Sequence, residues 1–104
     1  MVVTVTENNF DAEVLQAEEP VLVDFWASWC APCQRLMPIV EDISNKTAGV
    51  KVCKANVGEQ KALASRYGVM SVPTLILFRN GRAADKLVGS VSRHEIVAMM
   101  NCNG

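Results

Sequence analysis

The chain has 104 residues, half of them hydrophobic, and carries a net charge of −1 at pH 7. That length suits one domain, residues 1–104, and folding at this size hides roughly 60–70% of the surface an unfolded chain exposes. No basic patch points to nucleic acid, no apolar run is long enough for a bilayer, and Met1–Thr6 lacks the basic and apolar regions of a secretory signal, so a soluble, cytoplasmic protein is expected.

The valines of Val2-Val-Thr-Val5 alternate as in a strand. Asn8 or Asn9 is placed to cap a helix running to Ala17, with Phe10, Val14 and Ala17 on one face. Val21-Leu-Val-Asp-Phe-Trp-Ala27 is apolar almost throughout, the pattern of a strand covered on both faces by helices. A helix is predicted from Cys33 to Lys46, with Leu36, Ile39, Val40 and Ile43 at helical spacing and a kink at Pro38. Val50–Ala55 reads as the next strand and Gln60–Tyr67 as a short helix ended by Gly68. Thr74–Phe78 and Ala83–Val88 form a hairpin around Asn80-Gly81, a strong turn signal. Ser92-Arg-His-Glu95 is a capping box that opens a last helix to Asn101. The order is β-α-β-α-β-α-β-β-α. It predicts an α/β fold with a central mixed five-stranded sheet flanked by four helices.

Four cysteines in 104 residues are too few for a disulfide scaffold. Two of them stand in Trp29-Cys30-Ala31-Pro32-Cys33, where a buried strand ends and a helix begins. A helix start offers unpaired N–H groups and a partial positive charge, and both favour a thiolate. An ordinary cysteine with pKa about 8.5 is only ~3% ionised at pH 7. The helix dipole supplies only about 0.3–1 kcal/mol against ~1.4 kcal/mol per pKa unit, so direct N–H bonding to sulfur and the second thiol must add to it. Two intervening residues bring the sulfurs within bonding reach, and Pro32 suits a first helical turn. Cys30 is expected to be the exposed attacker and Cys33 the buried resolver. The alternatives are half of a zinc site and a structural disulfide. The first lacks a second ligand pair, because Cys53, His94 and Cys102 are scattered. The second does not persist in the cytosol.

Trp26-Ala-Ser-Trp-Cys-Ala-Pro-Cys33 resembles the thioredoxin family, as do Val21–Trp26, Pro38, Ser71-Val-Pro-Thr74, Phe78-Arg-Asn-Gly81 and Val88-Gly89. The resemblance implies the thioredoxin fold and reduction of protein disulfides through Cys30 and Cys33. A reductase such as thioredoxin reductase would recharge the protein. It further implies a monomer with no metal or organic cofactor, partnered by disulfide-containing target proteins and neither nucleic acid nor membrane. Asp24 would be the buried carboxylate that moves a proton for Cys33. A lone Asp in an apolar strand should have a raised pKa, unless it sits at a strand edge facing water. Lys54 would lie near Asp24, its alternative being a solvated strand lysine. Pro73 would be a cis-proline exposing the Val72 backbone to an extended substrate, its alternative an ordinary pre-strand proline. Trp29, Ala31, Pro32, Val72, Pro73 and Gly89 would form the docking surface, with Trp26 packed beneath. A non-catalytic binding subunit of a larger assembly is the alternative function.

This chain departs from the family pattern at Ala31, where glycine is usual, and at Gln34, Gly58 and Ser71. Those changes bear on partner choice and redox potential, not on reaction type. Cys53 is expected as a small buried hydrophobe, Cys102 as an exposed inert thiol and His94 as a solvated surface group. Met99 and Met100 are expected as core and fraying end, and Tyr67 as helix packing.

Overall fold

A computed structural model describes residues 1–102. The exposure expected for the Cys102 side chain lies outside what is described. Strands β1 (Val3–Thr4), β2 (Val21–Trp26), β3 (Lys51–Asn56), β4 (Thr74–Arg79) and β5 (Arg82–Val88) form one sheet in the order β1-β3-β2-β4-β5. β3 runs parallel to both β1 and β2, whereas β2–β4 and β4–β5 are antiparallel. Helices α1 (Ala31–Lys46), α2 (Lys61–Arg66) and α3 (Arg93–Cys102) and a π-helical turn, Asp11–Leu15, complete the predicted order.

The apolar run of β2 is explained by its place at the centre. Val21, Val23 and Phe25 face one core layer, with Phe10, Val14, Leu63 and Phe78. Leu22 faces the other, with Leu36, Val40 and Ile43 of α1 and Ile96, Met99 and Met100 of α3. Burying each such large side chain contributes about 1.5–3 kcal/mol. Tyr67 packs edge-on against Phe78 at 5.1 Å and tilted against Phe10 at 5.4 Å, closing the first layer. Met100 is buried beside Met99, so the end of α3 is core where a fraying end was expected.

The hairpin turn has Asn80 and Gly81 both at positive φ, 53° and 77°, as a twisted two-residue turn requires. A Cβ at Gly81 would also stand 3.0 Å from the Leu15 carbonyl oxygen. At α3 the capping box is formed: the Ser92 N–H donates to Glu95 Oε1 (2.9 Å) and the Glu95 N–H to Ser92 Oγ (3.1 Å).

The first helix differs from its prediction. Its cap is Thr6, not Asn8 or Asn9: the Asn9 N–H donates to Thr6 Oγ1 (3.3 Å) and the Thr6 N–H to Asn9 Oδ1 (2.6 Å). The reciprocal bond is that of a capping box, with Asn9 standing where Glu or Gln is usual. α1 begins two residues earlier than expected, because the Cys30 side chain supplies its cap. Pro38 lies within α1 without ending it.

Candidate active site

Cys30 and Cys33 form a disulfide with Cα atoms 5.2 Å apart. Cys30 is the N-cap of α1, its backbone extended, and the Cys33 N–H points at its Sγ from 3.1 Å. This is the direct N–H contact to sulfur that the helix start was expected to supply, and it favours negative charge on that sulfur. Cys30 is not the exposed thiol anticipated from sequence. It is 4% exposed, against 0% for Cys33. The order is as expected, but the Cys33 amide and the Val72 carbonyl oxygen, 3.7 Å from Sγ, both lie against the Cys30 sulfur.

Around the pair the chain converges from three loops. The Val72–Pro73 peptide bond is cis, with Val72 half-buried and Pro73 buried. The Gly89 N–H donates to the Pro73 carbonyl at 2.9 Å, which brings the end of β5 to the site. Gly89 has φ +93°, a conformation open to glycine, and a Cβ there would meet nothing, so conformation alone sets the residue type. Trp29 is 76% exposed, Ala31 is exposed and Pro32 half-buried at the first turn of α1. Trp26, Val57 and Val72 pack against the small buried cluster of Ala27, Cys30 and Cys33.

Asp24 is buried in the middle of β2, in register with Lys54 on β3 and Leu75 on β4. Neither carboxylate oxygen has a hydrogen-bond partner among the described residues. Burial raises its pKa from the ordinary 3.8 to about 7, and the positive charge of Lys54 holds it from rising further. The water-facing alternative for Asp24 is therefore excluded. Lys54 is half-buried, with Nζ 6.0 Å from the centre of the Trp26 ring.

Cys53 lies fully buried in the core layer opposite α1, where burial pushes its thiol up to about 11. His94 is exposed on α3. Among the described residues no group of three or more His, Cys, Asp or Glu is placed to hold a metal ion. No described helix is long and apolar enough to cross a membrane. Sequence reading passed over Arg35 and Met70, which open on cavities either side of the disulfide. Only the spacing of Arg35 from Pro32 on α1 signalled such a place.

A cysteine pair closed at a helix start, above a mixed sheet, defines a thiol–disulfide oxidoreductase. Its relatives agree: the family model described as Thioredoxin matches residues 1–102, and the chain belongs to the thioredoxin family. It is 44% identical over 104 residues to the thioredoxin of Rickettsia bellii, covering 99% of each chain. It is 42% identical over 103 residues to Thioredoxin C-2 of Corynebacterium nephridii and 39% over 103 to the thioredoxin of Pseudomonas aeruginosa, covering 98% of this chain and 95% of each relative. The activity is protein-disulfide reduction.

Proposed function

We propose that Cys30 is the attacking thiolate and Cys33 the resolving thiol, within one domain spanning residues 1–104. Cys30 thiolate attacks one sulfur of a substrate disulfide. The S–S bond breaks, a mixed disulfide forms and the first substrate thiolate leaves. Cys33 loses its proton and attacks Cys30 Sγ, releasing the second substrate thiolate. The substrate gains two electrons and two protons, and the protein is left as the Cys30–Cys33 disulfide. The dithiol itself carries the electrons, so the step needs no metal or organic cofactor.

The observation that carries the assignment is the Cys33 N–H on Cys30 Sγ at 3.1 Å. It singles out the first sulfur of the pair for negative charge and leaves Cys33, 0% exposed, to act second. Asp24 is the proton acceptor for Cys33, supported by a carboxyl pKa near 7, where it takes and returns protons at neutral pH. Lys54 tunes it. Trp29, Ala31, Pro32, Val72, Pro73 and Gly89 form the docking surface, where the Val72 backbone pairs with an extended segment of the target protein. A dedicated reductase of the thioredoxin reductase type regenerates the dithiol. The protein works in the cytoplasm as a single copy.

The test is turnover of insulin disulfides with dithiothreitol by the wild type and Cys30→Ser. Fast reduction by the wild type and a rate no better than dithiothreitol alone for the variant is expected. Equal slow rates in both would leave a binding subunit with this fold as the better account.

A further inference from the structure

A groove of about 130 Å³ runs along α1 beside the disulfide. Pro32, Arg35, Leu36 and Ile39 of α1 line it, together with Pro73, Ser90 and Val91. Positions 32, 35, 36 and 39 recur every three or four residues, so they lie on one helix face. Arg35 is exposed and forms no ion pair among the described residues, whose three pairs join Lys46 and Arg93 to Asp42 and Lys51 to Glu13. One cation therefore stands on a groove whose other lining residues carry no charge. The opposite flank of the disulfide differs. Its cavity, about 90 Å³, is lined by Trp29, Val57, Val69, Met70, Ser71 and Val72, without a charge.

We propose that Arg35 sets substrate preference: the groove seats the stretch of target protein next to its disulfide cysteine and favours one carrying Asp or Glu. The inference rests on the dithiol reading above and deepens it by naming the class of target. Pro32 and Pro73, which line the groove, neighbour Cys33 and Val72 in the chain, so a target segment that extends from Cys30 to this side meets Arg35. A guanidinium presents a planar fork of donors that matches a carboxylate. Low-dielectric walls of proline, leucine, isoleucine and valine strengthen that attraction and equally the repulsion of a lysine. An acidic flank gains an interaction, while a basic flank meets an uncompensated like charge.

The experiment compares three disulfide peptides, identical except that the residues on either side of one cysteine are Glu, Gln or Lys. The wild type should reduce them in the order Glu, Gln, Lys, with kcat/KM for Glu over Lys about two- to fivefold, the scale of one partly exposed charge pair. The difference should sit in KM and shrink as salt is added. Arg35→Gln should level the three peptides, and Arg35→Glu should reverse their order. Equal kcat/KM for the three with the wild type, or an unaltered ratio in Arg35→Gln, overturns the preference. Failure of the wild type to reduce any of the peptides would overturn the dithiol reading beneath it, a result distinct from equal rates.

Discussion

Cys33 and Cys53 are buried to the same degree, 0% exposed, yet their surroundings point to opposite chemistry. Cys53 lies mid-strand among Val5, Val23 and Ile76, and burial pushes its thiol up to about 11. Cys33 lies in the first turn of α1, where its amide meets the partner sulfur and its own sulfur closes the disulfide. Burial alone makes a thiol inert. A helix start turned toward the sulfur is what makes a buried pair reactive.

The widest separation should appear on alkylating the reduced, folded protein with iodoacetamide at pH 7. A thiol with pKa about 11 is ionised to roughly one part in ten thousand there. Peptide mapping should find Cys30 modified at least about a hundredfold faster than Cys53, since even an ordinary thiol with pKa about 8.5 is ~3% ionised at pH 7. Comparable labelling of the two would break the comparison.

Part of this contrast was legible in the chain itself. A lone Asp24 inside an apolar strand announced a buried acid, and Asn80-Gly81 and Ser92–Glu95 announced a turn and a cap, because each rests on contacts a few residues apart. Lys54 beside Asp24 was not readable from spacing, since it depends on the parallel register of β2 on β3. The resemblance to a family supplied it instead. The cis state of Val72–Pro73 was likewise beyond local signals, as most X–Pro bonds are trans. The first helix was misplaced because its box closes on Asn9 rather than Glu or Gln. The small exposure of Cys30 depends on packing that includes Val57 and Val72, contributed from distant parts of the chain.

Asp24 offers a second way to sharpen the comparison, since its burial is expensive where that of Cys53 is not. Its folded pKa, about 7, lies above the ordinary 3.8, so its contribution to stability is full below pH 4 and is lost as pH rises through 7. A gap of about three pH units at about 1.4 kcal/mol each comes to roughly 4 kcal/mol. Asp24→Asn should therefore flatten the fall in stability between pH 4 and 8 seen by denaturant unfolding of the oxidised protein, and slow insulin reduction near neutrality. An identical pH profile in the variant would exclude Asp24 as the titrating group.

The smallest effect belongs to Cys53→Ala. Loss of one buried sulfur should lower stability by about 1–2 kcal/mol in the same unfolding measurement. Insulin turnover should stay at the wild-type rate, and a fall in turnover would mean that the two cysteine environments are coupled.

The bond from the Gly89 amide to the Pro73 carbonyl, with that from Thr74 Oγ1 to the Ser71 carbonyl at 2.7 Å, ties down the backbone beside Cys30. A target peptide docking there, as proposed above, would meet an edge already set in its bonding geometry. Only the visitor would then lose conformational freedom on docking, so recognition would draw on the entropy of one partner instead of two. A protein that releases each target after two thiol exchanges could in this way bind briefly without first having to fold its own loop.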